Sequence, residues 1–273
     1  MTNLRPTRIE AVILDWAGTT MDYGCMAPVV AFMKAFELEG VPISEAEARV
    51  PMGAHKRVHI QKITELPEVR VRWQHVHGRF ADDRDVQRMF DNFVPVQLGC
   101  LGEYSALIDG TLELVTELRR RGIKIGSTTG YTTEMMRINL ADAKAQGYEP
   151  DATVCANDVP AGRPFPYMCF ENAVSLGVSD VRACVKIDDT LPGVTEGRTA
   201  GMWTIGLATS GNEVGLPRNV WEELDADERE ELRRGAHHRM HEVGADFVVD
   251  TIADVLPCID AIAAELAAAQ AAE

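Results

Sequence analysis

The chain has 273 residues, of which 46% are hydrophobic and 25% are charged, a composition typical of a globular protein. Its formal net charge of −15 excludes nucleic acid and anionic membrane surfaces as main partners, because both are bound through clustered Lys and Arg. No stretch approaches the roughly 18 apolar residues of a membrane helix, and the amino-terminal apolar run is short and ends in Asp15, so we expect neither a membrane span nor a signal peptide.

The six cysteines form no Cys-x-x-Cys pair and no zinc-binding spacing. Free thiols are the rule in the reducing cytoplasm, and we expect this chain to be a cytoplasmic protein.

The first predicted element is a buried strand. Residues 8–14 form a short apolar run that stops at a carboxylate, and Gly18 marks a loop after it. From about Pro28 to Phe93 the pattern turns helical, with a capping-box sequence at residues 44–47. No strand pattern occurs in this block, which predicts an all-helical insertion.

After Gly102 helical and strand patterns alternate along the chain. The strand patterns lie at residues 123–128, 152–156, 183–187, 202–208 and 245–250. Such alternation predicts a parallel sheet with helices on both faces and a ligand site at the carboxyl ends of the strands. The highly charged segment 221–244 is predicted to be a solvated helix.

Polar side chains fall where four of the predicted strands end. Asp15 follows the first strand, and Ser127, Thr128 and Thr129 follow the second. Arg163 lies in the loop after the third strand, and Asp188 and Asp189 follow the fourth. A carboxylate nucleophile, hydroxyl donors, a cation and a metal-binding carboxylate at one sheet edge suit Mg²⁺-assisted phosphoryl transfer.

These motifs together resemble the haloacid-dehalogenase superfamily. The matching pieces are DWAGT, STTG, GRPFP and DDTLPG, in this order and each after a predicted strand. One departure concerns Ala17, because most phosphatases of that superfamily have an Asp there that protonates the leaving alcohol. The Ala17 carbonyl could still ligate Mg²⁺, but it offers no proton, whereas a carbon leaving group would not need that acid in the same way.

The helical insertion contains a candidate imine-forming lysine. In the stretch PMGAHKRVHI, Lys56 and His59 are three residues apart, which places them on one face of a helix. Lys amines with a lowered pKa form Schiff bases with carbonyl compounds. A protonated imine two bonds from phosphorus can accept the electron pair of a breaking carbon–phosphorus bond, with Asp15 accepting the phosphoryl group.

Over most of its length the chain resembles the phosphonoacetaldehyde hydrolase (phosphonatase) family, through DWAGTT, the Met-Gly-x-x-Lys-x-x-His stretch, GSTTGYT, DVPAGRPFP and EGRTAGMWT. The resemblance implies Asp15 as nucleophile, Lys56 as the imine-forming lysine and His59 as a candidate proton shuttle. It implies that Asp15, the Ala17 carbonyl and Asp189 are ligands of Mg²⁺. Contacts with phosphate or substrate are implied for Thr128 or Thr129, Arg163, Cys25, Met52 and Tyr131.

The acidic loop differs from the pattern G-D-x-x-x-D of many members of the superfamily. Asp188 replaces the glycine, and Gly193 stands where the second carboxylate would be. Two alternatives remain open at this point: Asp188 or a water completes the metal shell.

We therefore expect an α/β fold: a doubly wound, Rossmann-like core of parallel strands (residues 1–22 and 100–273) with an inserted helical cap (residues 23–99). The expected function is the hydrolysis of phosphonoacetaldehyde to acetaldehyde and phosphate, as a step of 2-aminoethylphosphonate breakdown. The rival functions are a phosphatase or phosphomutase of the same fold and a catalytically idle binding protein. The resemblance also implies a homodimer packed through the cap.

Overall fold

The structure is a computed structural model, and it describes residues 6–271. Six strands form one sheet: β1 (Ala11–Leu14), β2 (Lys124–Thr129), β3 (Ala152–Cys155), β4 (Cys184–Asp188), β5 (Trp203–Leu207) and β6 (Phe247–Val249). Five helices follow β1 up to residue 100: α1 (Met26–Leu38), α2 (Glu45–Arg49), α3 (Lys56–Glu65), α4 (Pro67–His77) and α5 (Asp83–Cys100). The others are α6 (Thr111–Arg120), α7 (Thr133–Ala145), α8 (Tyr167–Ser175), α9 (Leu191–Thr199), α10 (Arg218–Glu223), α11 (Ala226–Glu242) and α12 (Leu256–Ala271).

All neighbouring strands of the sheet are parallel, in the order β3-β2-β1-β4-β5-β6. The chain first builds outward from β1 to β3 and then crosses back to β4 on the other side of β1. The point where the order reverses therefore lies between β1 and β4, where ligands bind in open α/β sheets. This arrangement confirms the predicted fold class.

Alternate residues of β1 face the two sides of the sheet, as the period of a strand requires. Val12 and Leu14 belong to the larger apolar cluster. Ala11 and Ile13 belong to a second cluster together with Cys169 of α8. Because β1 is buried on both faces, its sequence is a continuous apolar run rather than an alternating one.

Within residues 23–99 the insertion contains helices joined by loops and no strand, as predicted. The capping box at the start of α2 is confirmed: Ser44 Oγ accepts the Glu47 amide and Glu47 Oε2 accepts the Ser44 amide. Helix α1 packs on α5, where the rings of Phe32 and Phe93 stack with centroids 4.5 Å apart. These rings share one continuous apolar cluster with Val12 of the sheet, and the division of the chain into a core and a cap at residues 22–23 and 99–100 remains a prediction.

Two boundaries differ from the sequence-based prediction in a way that affects the site. Thr128 and Thr129 are the last two residues of β2, because they pair with Val154 and Cys155 of β3. Asp188 is likewise the last residue of β4, not the first residue of a loop. Sheet pairing with a neighbouring strand extends each strand beyond its apolar run.

The charged segment near the end of the chain forms two helices instead of one. Helix α10 ends at Glu223, and Asp225 caps α11 through a capping box with Glu228. Helix α11 is not fully solvated, because Ala236 and Met240 are buried against the sheet. Among the helices within residues 6–271, none has the length and the apolar character needed to cross a membrane.

Candidate active site

Three carboxylates meet at the carboxyl ends of β1 and β4. Asp15 directly follows β1, and its amide donates to the Ile187 carbonyl of the neighbouring strand at 3.0 Å. Asp188 ends β4, and Asp189 follows it. All three side chains are buried, and one oxygen of each lies within 4.8 Å of the others. The pairing of β1 with β4 therefore creates a concentrated negative charge away from water.

The three carboxyl groups differ in their titration. Burial raises the pKa of Asp189 well above its ordinary value, and repulsion by Asp15 and Asp188 raises it further. Burial also raises the pKa of Asp15, although the charge of Arg163 offsets part of this effect. For Asp188 burial acts in the same direction, but Arg163 and Lys186 more than offset it, so its pKa is lowered. Asp188 is thus the carboxylate with the most complete charge compensation.

Two buried cations provide this compensation. Arg163 reaches Asp15 Oδ1 at 2.5 Å and Asp188 Oδ2 at 3.1 Å through Nη2, and Glu196 Oε2 at 3.1 Å through Nε. Lys186, fully buried in β4, donates from Nζ to Asp188 Oδ2 at 2.6 Å. A planar guanidinium can bridge several carboxylates in this way because its donors are fixed in one plane.

The two threonines at the end of β2 have different surroundings. Thr128 Oγ1 accepts from Arg163 Nη2 at 2.8 Å and lies 3.5 Å from Glu196 Oε2. Thr129 lines the same small cavity as Asp15, and its Oγ1 accepts the Tyr131 amide. The alternation of side chains along a strand explains why only one of two successive threonines faces the cavity.

Lys56 approaches the carboxylates from the cap. It is the first residue of α3, only 4% exposed, and it lines the cavity that Asp15 also lines. Its Nζ lies 4.5 Å from the ring centroid of Tyr131 and 5.5 Å from that of Phe32. Burial lowers the pKa of Lys56 to about 8, although the negative charge of Asp15 opposes this effect. A substantial fraction of the amine is therefore neutral near physiological pH.

The cap segment before α3 lies directly on the core. Gly53 has a φ of 88°, and a Cβ at that position would come within 2.7 Å of Thr190 Oγ1. A Cβ at Gly130 would similarly come within 2.9 Å of the Ala54 carbonyl oxygen. Since there is no room for side chains here, the two glycines allow the cap backbone to approach the core closely. We infer that Lys56 reaches the cavity because of this approach.

The cavity itself has a volume of about 20 Å³, enough for about one water molecule. Besides Asp15, Lys56, Thr129 and Arg163, its walls include the other substrate-contact residues expected from the sequence: Cys25, Met52 and Tyr131. Ala17 also lines it. Burial raises the pKa of the Cys25 thiol well above its ordinary value, so this thiol is protonated.

His59, the candidate proton shuttle, does not line the cavity, and neither do Thr128 and Asp189. Its Nε2 lies 2.7 Å from the Ala48 carbonyl oxygen, and its ring stacks on Phe32 with centroids 3.7 Å apart. Burial, together with the nearby Lys56 charge, lowers its pKa well below the ordinary value. His59 is therefore a neutral imidazole behind Phe32, and a role as a proton shuttle stays a prediction. His55, just before α3, caps this helix by accepting the Arg57 amide with Nδ1.

Several residues of the site escaped the sequence analysis. Lys186 could have been noticed as a lysine inside an apolar strand run, and Asp22 as a carboxylate just before a helix. The Asp22 carboxylate accepts the amides of Met26 and Ala27, and burial raises its pKa to about 7. Glu196 lies inside the short helix α9, and no local sequence pattern indicated that it would be buried beside an arginine.

The carboxylate cluster fits a divalent metal ion. Its donors are carboxylate oxygens, and besides burial the pKa of Asp189 is raised by repulsion from Asp15 and Asp188, which a cation would relieve. Asp189 is held in place by Thr19 Oγ1 at 3.1 Å and by the Asn212 amide at 2.8 Å. A Cβ at Gly211 would come within 2.2 Å of the Asp189 side chain, so this loop is packed tightly around it.

Comparisons with known proteins agree with this geometry. A sequence model of haloacid dehalogenase-like hydrolases matches residues 9–201. A phosphonoacetaldehyde hydrolase from Hahella chejuensis is 48% identical over 254 residues, which cover 93% of this chain and 86% of that protein. A phosphonoacetaldehyde hydrolase from Bacillus cytotoxicus is 46% identical over 255 residues, which cover 93% of this chain and 97% of that protein.

The fold also matches a solved structure over nearly its whole length. The crystal structure of a phosphonoacetaldehyde hydrolase-like protein from Oleispira antarctica superposes with a TM-score of 0.95 at 44% identity. The match covers 98% of this chain and 97% of that one.

The lowered pKa of Lys56 leads to a testable pH dependence. Because the folded protein has a pKa of about 8 at this amine, its reaction with acetic anhydride should rise with pH around a midpoint near 8. A free lysine has a midpoint about two units higher. Competitive labelling across pH, read by peptide mass spectrometry with Lys34 as the internal reference, measures this midpoint. A Lys56 midpoint above pH 10 would contradict the buried, partly neutral amine.

Proposed function

The chain belongs to the phosphonoacetaldehyde hydrolase family of the haloacid dehalogenase-like hydrolases, and we propose that it converts phosphonoacetaldehyde and water to acetaldehyde and phosphate. One observation supports this function above the others: an amine with a lowered pKa and a buried carboxylate line the same cavity. Lys56 would activate the aldehyde end of the substrate, and Asp15 would take its phosphoryl group.

The first part of the reaction takes place at Lys56. The neutral amine adds to the aldehyde carbon, and loss of water gives an imine that is protonated on nitrogen. The lowered pKa supports this step because only the unprotonated amine is a nucleophile. The rings of Tyr131 and Phe32 beside Nζ would stabilise the cationic imine through their π faces.

The second part transfers the phosphoryl group. An oxygen of Asp15 attacks phosphorus, the carbon–phosphorus bond breaks, and its electron pair moves into the iminium to give an enamine. Arg163 lies against Asp15 and would stabilise the charge on the transferred group. Protonation of the enamine at carbon and addition of water release acetaldehyde from Lys56. A second water attacks the aspartyl phosphate, releases phosphate and restores Asp15.

We further propose that Thr129, and not Thr128, contacts the phosphoryl group. Thr129 faces the cavity, whereas Thr128 is engaged with Arg163 and Glu196. Thr128 would then act by keeping the guanidinium of Arg163 aimed at Asp15.

The metal in this proposal is Mg²⁺, held by Asp15, the Ala17 carbonyl and Asp189. Mg²⁺ prefers a few carboxylates together with phosphate oxygens, and when bound it would neutralise charge on the phosphoryl oxygens and the carboxylates. Asp188 is less suited to direct ligation, because Lys186 and Arg163 occupy Oδ2 while Thr190 donates to Oδ1.

Gly193 explains why Asp188 can take this place. A Cβ at Gly193 would come within 2.1 Å of both carboxylate oxygens of Asp188. The carboxylate of residue 188 therefore fills the space into which a side chain at 193 would project. Only one of the two positions can carry a carboxylate in this arrangement.

The rival function, a phosphatase or phosphomutase acting on phosphate esters, has less support. Ala17 lies at the cavity in the place where such enzymes of this fold have an acid for the leaving alcohol. The buried amine of Lys56 would also have no task in ester hydrolysis.

Borohydride trapping tests the proposed chemistry. With Mg²⁺ and phosphonoacetaldehyde present, borohydride should reduce the imine and leave an adduct on the peptide that contains Lys56. Lys56→Arg should lose turnover by several orders of magnitude, because a guanidinium forms no such imine, while it still binds Mg²⁺. Retained turnover in Lys56→Arg would remove the imine from the mechanism. Phosphate release from sugar phosphates with none from phosphonoacetaldehyde would favour the rival function.

Metal binding is tested by neutralising one carboxylate. Asp189→Asn should weaken Mg²⁺ binding by about tenfold to a hundredfold, because a ligand charge is lost, and Mg²⁺ should no longer raise the melting temperature. Isothermal titration calorimetry and thermal unfolding measure both effects without substrate. Asp91→Asn, on the exposed face of α5, is the matched control and should behave like the parent protein. Equal Mg²⁺ affinity in both variants would argue against Asp189 as a ligand.

We also propose that the protein forms a homodimer through the cap. Several large apolar side chains of the cap are exposed, among them Leu38, Val50, Val71 and Phe80. A dimer interface would cover part of this surface. Light scattering coupled to size exclusion should give twice the chain mass of 30.0 kDa. A mass of one chain at micromolar concentration would contradict the dimer.

A further inference from the structure

Arg49 joins the cap segment before Lys56 to the linker after β1 and to a loop of the core. It is the last residue of α2, and its Nη1 donates to the Gly24 carbonyl at 2.8 Å. Its Nη2 donates to the Gly215 carbonyl at 2.7 Å. Nη2 also lies 3.1 Å from Met26 Sδ. One cap side chain thus holds the linker after β1 and a loop that follows β5.

The loop that receives Arg49 is the one that packs around the proposed metal ligand. Asn212 donates its amide to Asp189, and the Gly215 amide donates to the Gly211 carbonyl at 2.9 Å. The loop is fixed from the other side by Arg239 of α11, which binds both the carboxylate and the carbonyl of Glu213. Because hydrogen bonds with Asp189 and Arg239 fix this loop within the core, it can anchor the cap through Arg49.

On the cap side, Arg49 lies at the beginning of the segment that carries Lys56. The Met52 amide donates to the Arg49 carbonyl at 3.0 Å, and Gly53 and Lys56 follow. The preceding residue, Ala48, is bound through its carbonyl by His59 of α3. The segment from Arg49 to Lys56 is therefore bound to the core loop at Arg49, and it continues into the cap helix α3 at Lys56.

The small cavity gives this contact a mechanical consequence. With room for about one water molecule, the closed site cannot admit a phosphonate, so the cap must move away from the core for substrate to enter. Such a movement separates Arg49 from Gly215. It also uncovers Cys25, which is only 2% exposed and lies in the linker at the edge of the cavity.

We propose that Arg49 is a positioning residue that latches the cap closed, so that Lys56 is held in the cavity opposite Asp15. The latch requires an arginine, because the two carbonyls it bridges lie on different segments and a lysine has a single nitrogen to offer. Gly215 is part of the latch, because a Cβ there would lie 2.7 Å from Arg49 Nε. The link to Lys56 rests on the proposed function, whereas the latch itself does not.

The test measures cap opening without substrate, through thiol labelling. The native protein, Arg49→Lys and Gly215→Ala are treated with iodoacetamide, and each cysteine is followed by peptide mass spectrometry. Cys25 reports opening of the cap, whereas Cys169, fully buried between α8 and the sheet, reports global unfolding. Arg72→Lys is the matched control, because Arg72 pairs with Glu47 inside the cap and does not reach the core.

We expect Cys25 to be labelled about tenfold faster or more in Arg49→Lys and Gly215→Ala, as the loss of a charge-assisted hydrogen bond predicts. The rate at Cys169 and both rates in Arg72→Lys should stay at their native values. The kcat for phosphonoacetaldehyde should fall in the two latch variants, since a smaller fraction of the substrate complex is in the closed form that holds Lys56 opposite Asp15.

Two results would overturn the latch: unchanged Cys25 labelling in both variants, or equal acceleration at Cys25 and Cys169, which indicates general destabilisation. Failure of the proposed function gives a different result. If borohydride traps no adduct on Lys56 of the native protein while Cys25 labelling still depends on Arg49, the result contradicts the imine mechanism and still supports the latch.

Discussion

The buried ion pair between Asp15 and Arg163 is the interaction on which the rest of the site depends. Three carboxylates cannot be buried within 4.8 Å of one another unless cations accompany them, because the desolvation of unpaired charges is too costly. Arg163 reaches Asp15, Asp188 and Glu196 together, and Lys186 completes the pairing of Asp188. Removing Arg163 would leave several buried charges unpaired, so its role in stability and its proposed role in catalysis cannot be separated.

The carboxylates of the site are not equally paired with cations, and this difference has chemical consequences. Asp188 is compensated by two cations and two hydrogen bonds from Thr190, which makes it a fixed structural anion. Within residues 6–271 Asp189 forms no ion pair with a Lys or Arg side chain, and burial together with repulsion by Asp15 and Asp188 raises its pKa. A divalent ion beside Asp189 and Asp15 would restore the balance of charge. This distribution of charge supports the proposed metal beside Asp189 and the proposed phosphoryl position near Arg163.

The cap adds an amine, that of Lys56, to the carboxylates of this site. Lys56 is buried without a carboxylate in direct contact among the described ion pairs, so the cost of desolvation lowers its pKa to about 8 instead of being offset. Its burial depends on the close approach of the cap backbone at Gly53 and Gly130. The same closure that excludes water from the carboxylates therefore favours the neutral amine that the proposed imine formation needs. Arg49 connects the two effects, because it fastens the cap segment to the loop around Asp189.

The sequence by itself determined the fold class, the family and most of the residues that line the cavity. Apolar runs that end at polar residues locate the carboxyl ends of the strands, and parallel strands bring those ends together, so Asp15, Arg163 and Asp189 could be grouped without coordinates. Lys56 could be named because the motif around it resembles a known family. These inferences rest on local patterns, and local patterns are what a sequence records directly.

The tertiary structure decided which side chains face the cavity and which groups support them. Sheet pairing extended β2 to Thr129, and the alternation of the strand then turned Thr129 toward the cavity and Thr128 toward Arg163. Packing on Phe32 placed His59 behind the cavity wall, although its spacing from Lys56 had suggested a shared face. Glu196 and Arg49 have partners 33 and 166 residues away along the chain. Such contacts arise only when distant segments fold together, and no local pattern in the sequence encodes them.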